Sequence, residues 1–166
     1  MTQTQDRLPE WKRTRYCGAL RAADAGQAVT LCGWVNRLRD MGHLLFVDLR
    51  DREGLAQVVI PAGDEALRER AKKLRMEDAV GIKGVVKARD PKSANPHMAT
   101  GGVEVEASAL VVFNAAKVPP FVVADPPQAT EELRLKYRYI DLRRPSMQRN
   151  IRLRHRAALE VRNVLD

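Results

Sequence analysis

Residues 43–51, HLLFVDLRD, alternate as a half-buried strand does. Leu45, Val47 and Leu49 fall on one side; Leu44, Phe46, Asp48 and Arg50 fall on the other. The first side is a core face. The second sets an aromatic ring, Phe46, on the wet side of a sheet beside an acid and a base.

The same reading extends along the chain. Residues 29–40 (VTLCGWVNRLRD) predict a strand, with Gly33 as the place for a bend or bulge and Trp34 as a core residue. The link to the strand at 44–51 is short, so the two form a hairpin. A third strand, 54–61 (GLAQVVIP), follows the turn DREG. Residues 63–76 place Ala66, Leu67, Ala71, Leu74 and Met76 at the spacing of one short amphipathic helix. Two more strands, 79–90 and 103–114, flank a loop rich in Pro, Gly and small polar residues. The order strand, strand, strand, helix, strand, strand is that of a mainly β, five-stranded Greek-key barrel of the OB-fold type, with its helix between strands three and four.

Residues 118–127 (VPPFVVADPP) carry four prolines, which stiffen the chain and mark a boundary. Residues 130–144 (TEELRLKYRYIDLRR) predict a short helix with Thr130 as cap and Glu131 and Glu132 in its first turn. Pro145 suits the first turn of another helix, which places Ile151, Ala158, Val161 and Leu165 on one face. That helix reaches Asp166 without a cap or stop, so a truncated helix is expected. The expected organisation is a lead-in at 1–14, a barrel at 15–117, a linker and hinge at 118–145, and the start of another domain at 146–166.

Charge narrows the class of partner. The 166 residues carry a formal charge of +8, and ten Lys/Arg against five Asp/Glu fall in residues 131–166. A basic balance favours a polyanion, most simply a nucleic acid. No apolar run approaches the ~18 residues of a membrane span, and the first residues have no apolar signal core. Cys17 and Cys32 have no second pair to build a metal site and read as reduced thiols of a cytoplasmic protein. His43, His97 and His155 match no metal-ligand spacing and read as structural or surface residues.

On the barrel, OB-folds bind single strands on the face of strands two and three. Phe46 there offers a base a flat partner, worth about 1–3 kcal/mol per stacked base. Arg37 and Arg39, two apart on strand one, share a side and can hold phosphate or a base edge. Gln57 on strand three offers donor and acceptor, and Glu104 on strand five accepts from a base. The plainer reading stands beside this one: a ring under a loop, arginines on a solvated face, and Gln57 partly buried between Leu55 and Val59. Asp48, Asp51 and Glu53 are read as hairpin-end carboxylates, since nothing pairs them with a nucleophile. The sequence contains no Gly-rich phosphate loop and no recognisable catalytic centre.

The stretches YCGALRAADAGQAVTLCGWVNRLRDMGHLLFVDLRDREGLAQVV, ARDPKSANPHMATGGVEVEASAL and TEELRLKYRYIDLRRPSMQRNIRLRHRA resemble the N-terminal anticodon-binding region of bacterial aspartyl-tRNA synthetases. The resemblance runs from about Arg13 onward. It implies a class II synthetase that joins aspartate to its tRNA with ATP and magnesium, working as a cytoplasmic homodimer. Carried over by position, Phe46 stacks on the central anticodon base, Arg37, Arg39 and Gln57 hold and read the anticodon, and Glu104 contacts its first base. The last helix resembles the first half of the dimer-forming motif 1. Motifs 2 and 3 are not present, so the resemblance implies no bound cofactor and no catalysis by this chain alone. Met41 stands where relaxed members of the family often have histidine, which leans toward strict aspartate specificity. Leu38 replaces the commoner middle arginine of the GWVNR.RD motif. Two other readings are a stand-alone OB-fold module for single-stranded nucleic acid and an assembly role for the basic tail.

Overall fold

The computed structural model describes residues 9–42 and 44–165. Most of the expected lead-in, residues 1–8, and His43 therefore lie outside the described residues. Two compact units are present, Met1–Lys117 and Val118–Asp166.

The first unit is a closed five-stranded barrel. Strands β1 (Ala28–Asp40), β2 (Leu45–Asp51) and β3 (Gly54–Ile60) form an antiparallel meander. Helix α1 (Glu65–Lys72) follows, then β4 (Ala79–Ala88) and β5 (Val103–Asn114). The order around the barrel is β1-β2-β3-β5-β4, with β4 returning to β1. The β3–β5 seam is parallel and brief, pairing Val58 with Val105 and Val59 with Glu106. This is the expected OB-fold arrangement. Alternation fills the interior: Leu31, Val35, Leu45, Val47, Leu49 and Val58 are fully buried.

Strict alternation fails at one place that matters. Counted from the buried Val35, Arg37 and Arg39 would also point inward. The β1–β2 register shifts between Val35 and Arg37, so the chain gains one residue there. Leu38 then packs against the core, while Arg37 pairs across to Asp48 and Arg39 to Phe46. The bulge is therefore at Asn36, not at Gly33. Gly33 serves another need: a Cβ there would lie 2.4 Å from the Arg50 carbonyl oxygen, so only glycine permits that approach. Trp34 is half-buried rather than core, because it alternates with Gly33 and Val35 and takes the other side of the strand.

A buried ion pair braces the bulge. Arg50 Nη2 donates to both carboxylate oxygens of Glu77, at 2.6 and 2.8 Å, and its Nη1 donates to Asn36 Oδ1 at 2.7 Å. The Glu77 N–H donates to the Val35 carbonyl and the Val35 N–H to the Asp78 carbonyl. The bulge that turns two arginines outward is thus tied to the segment ahead of β4.

Helix α1 is shorter than its pattern predicts. Asp64 caps it by accepting from the Leu67 N–H at 2.9 Å, and it ends at Lys72. Leu67, Ala71 and Leu74 join the core, whereas Met76 is exposed beyond the helix.

In the second unit, residues 130–144 form two short helices, α2 (Glu131–Lys136) and α3 (Arg138–Asp141), broken at Tyr137. Thr130 caps α2 through the Leu133 N–H. Asp141 is fully buried and gathers Arg134, Arg138 and Arg144 at 3.9, 2.8 and 2.7 Å. The break itself lies at Tyr137, whose φ of -109° and ψ of 47° leave the helical region. Arg144 also reaches Asp125 in the proline-rich segment. Helix α4 (Pro145–Leu165) begins at its proline, and Ile151, Val161 and Leu165 are exposed on it.

Candidate nucleic-acid interface

The outward side of β1, β2, β3 and β5 carries a continuous row of functional groups. Pairing sets their order: Arg39 lies opposite Phe46 on β2, Phe46 opposite Val59 on β3, and Asp48 opposite Gln57. Glu104 enters from β5, opposite Lys87 of β4.

The side chains meet. Arg39 Nη2 donates to Asp48 Oδ1 at 2.8 Å and to Gln57 Oε1 at 3.3 Å. Its Cζ lies 5.8 Å from the centroid of the Phe46 ring, within the range at which a guanidinium is attracted to an aromatic face. Gln57 Nε2 donates to Glu104 Oε2 at 3.3 Å. Arg89, one residue past β4, donates from Nη1 to Gln57 Oε1 at 3.4 Å, and its Nε stands 3.6 Å from Glu104 Oε2. The Arg89 backbone N–H donates to the Gly102 carbonyl at 2.9 Å, which holds the residue against the start of β5.

Four of the five residues picked out from the sequence are therefore in one network: Arg39, Phe46, Gln57 and Glu104. The fifth, Arg37, is exposed two rungs along, opposite Asp48. Gln57 is buried, as the plainer reading expected, yet its amide bridges three charged partners. Two members were not anticipated. Asp48 shares the face of Phe46 by simple alternation, which was the available signal. Arg89 belongs to the site only because β4 pairs with β5, which no local pattern announces.

Bond lengths say what the arrangement can do. The Arg39–Asp48 contact is tight, so the guanidinium is aimed. The bonds to and from Gln57 run 3.3–3.4 Å, longer than the 2.9–3.0 Å typical of N–H···O bonds. Long bonds are cheap to exchange for those of an incoming ligand. Two donors, Arg39 Nε and Arg89 Nε, are buried without a hydrogen-bond acceptor. A ring, two arginines, an amide and a carboxylate on one sheet face can stack a base, hold phosphate and engage base edges.

Both thiols are free. Cys17 is buried, and burial first, then the charge of Asp51, pushes its pKa well above the usual 9.0. Among the described residues no three His, Cys, Asp or Glu side chains converge to hold a metal ion, and no helix is long and apolar enough to cross a membrane.

Residues 29–113 match the family described as the OB-fold nucleic acid binding domain. The chain belongs to that family. Residues 130–166 match the class II tRNA synthetases for D, K and N. The aspartate–tRNA(Asp/Asn) ligase of Syntrophotalea carbinolica is 48% identical over 97% of this chain. The aspartate–tRNA ligase of Listeria monocytogenes is 49% identical over 93%. The chain spans 27% and 26% of the length of these relatives. Among solved structures, the asparaginyl-tRNA synthetase of Pyrococcus horikoshii superposes with a TM-score of 0.75 at 30% identity, over 93% of this chain and 35% of that one. The resemblance to aspartyl-tRNA synthetases is borne out, and the barrel is an OB-fold of the anticodon-binding type found in aspartyl and asparaginyl enzymes.

Proposed function

We propose that the outward face of β1, β2, β3 and β5 binds the anticodon loop of an aspartate tRNA, as the reading part of an aspartate–tRNA ligase. The observation that carries this is the row Arg39–Phe46–Gln57–Glu104, brought to one face from four strands. In this reading Phe46 stacks on the central anticodon base. Arg37 and Arg39 hold backbone and base edges, Gln57 reads an edge, and Glu104 accepts from the first anticodon base. Its place of work is the cytoplasm. The apolar residues of α4 meet a second copy in the intact enzyme, which is a homodimer.

The class II family implies ATP and magnesium in the intact enzyme. Among the described residues no three His, Cys, Asp or Glu side chains converge to hold the magnesium. In this reading ligation falls to the part of the relatives' length that this chain does not span, and the chain alone neither exchanges ATP with pyrophosphate nor charges tRNA. Exchange by this chain would overturn that.

The test is titration with an aspartate tRNA anticodon stem-loop and with one changed at its central base, at two salt concentrations. Preference for the first at both salts is expected. Equal binding that fades steeply with salt would leave only phosphate attraction and point to a general single-strand module.

A further inference from the structure

Helix α1 turns Leu67 and Ala71 into the core, and between them Arg68 is also buried. A charge on the inward side of a helix is costly unless it is paired. Arg68 spends its donors away from its own helix, whose start is already capped by Asp64. Its Nη2 donates to Asp40 Oδ1 at 3.2 Å and to the Gly42 carbonyl. Asp40 Oδ1 also accepts from the Gly42 N–H at 2.9 Å, and the Met41 N–H donates to the Leu44 carbonyl at 2.8 Å. Gly42 has φ +79°, a left-handed turn that suits glycine.

These bonds all fall on the β1–β2 hairpin loop. Asp40 pairs with Leu45, and the next rung is Arg39 with Phe46. The loop is thus one residue from the stacking ring, and Met41 stands 64% exposed at its tip. Short exposed loops are ordinarily the mobile parts of a fold. Holding one in place before binding removes an ordering cost that binding would otherwise carry.

We propose that Arg68 is a positioning residue for the nucleic-acid face: it clamps the hairpin loop so that the rim beside Phe46 is set before the RNA arrives. This rests on the anticodon reading above. Arg68 touches no RNA; it acts through Asp40 and Gly42.

The experiment compares the wild-type chain with Arg68→Met and Arg68→Lys. Each is titrated with the aspartate stem-loop and with an unrelated single strand of equal length, at several salt concentrations, after thermal melting shows it folded. Arg68→Met is expected to lose about three- to tenfold in stem-loop affinity, with binding of the unrelated strand and the salt slope unchanged. Arg68→Lys, which keeps one donor, is expected to recover part of the loss. Equal loss for both RNAs, or no loss, overturns the proposal, as does a reduced salt slope, which would make Arg68 a phosphate contact. If Arg68→Met does not fold, Gly42→Ala strains the same loop without touching α1, and the same selective loss is expected; its absence overturns the proposal. The wild-type arm tests the anticodon reading separately: without a stem-loop preference there, that reading falls and the role in recognition with it. Exchange of the Gly42 amide, slow in the wild type and fast in Arg68→Met, still reads the clamp itself.

Discussion

Arg39 and Asp48 are joined at 2.8 Å across the outward face of the β1–β2 hairpin, diagonal to the rung that pairs Arg39 with Phe46. The carboxylate aims the guanidinium along the row that leads to Gln57. Asp48 is also a negative charge on the face proposed to bind RNA. Asp48→Asn should therefore raise affinity for unrelated single strands while narrowing the preference for the aspartate stem-loop. The pair itself is partly solvated, and its loss should cost at most about 1 kcal/mol of stability. Paired titrations of the two RNAs with this variant check it; an unchanged preference would mean that Asp48 does not orient Arg39 for recognition.

The Arg50–Glu77 pair should behave differently, because both side chains are below 10% exposed. Glu77→Gln leaves the Arg50 charge buried without its partner and should cost about 3–5 kcal/mol. Replacing both by apolar residues, Arg50→Met with Glu77→Leu, should recover much of that. Since Arg50 also holds Asn36 at the bulge, the double variant should stay folded yet bind the stem-loop more weakly. Denaturant unfolding of the single and double variants measures the first effect, and RNA titration the second.

Acid should loosen the second unit through Asp125. Burial acts to raise its pKa, but bonds from the Ser146 N–H and hydroxyl, both 2.8 Å, and from Arg144 outweigh it and hold the carboxyl below its ordinary 3.8. A depressed carboxylate stabilises the fold fully above its unfolded value and loses that contribution as pH falls through the folded one. Asp125→Asn should therefore be less stable than the wild type at pH 6, with the gap closing below about pH 4. Melting curves of both proteins between pH 6 and pH 3 report it.

The two thiols should separate kinetically. Cys17 is fully buried with its pKa raised, so its thiolate is scarce near neutrality. Cys32 is half-buried, its pKa raised by burial and lowered by Arg13. A thiol reagent at pH 8 should label Cys32 first and Cys17 only on unfolding, as a count of native and denatured thiols in Cys32→Ser would show.

Much of this was legible before the structure. Alternation placed all five strands, and the outward position of Phe46 followed from Leu45, Val47 and Leu49 facing in. What escaped depends on contacts distant in sequence. The bulge at Asn36 is invisible in WVNRLRD, because its brace comes from Arg50 and Glu77. Trp34 looked like core because it is large and apolar, yet Gly33 and Val35 take the inward side. The break at Tyr137, where the backbone leaves the helical region, has no Gly or Pro to announce it in KYRYID. Arg89 joins Gln57 and Glu104 only after the barrel closes.

The account turns on Phe46 as a platform for a base. A stem-loop with a fluorescent base analogue at the central anticodon position, titrated with wild type and Phe46→Ala, tests it most directly. Binding to the wild type should quench the analogue. Phe46→Ala should remain folded, lose that quenching, and bind about 1–3 kcal/mol more weakly. A folded Phe46→Ala that binds and quenches as the wild type does would contradict the account.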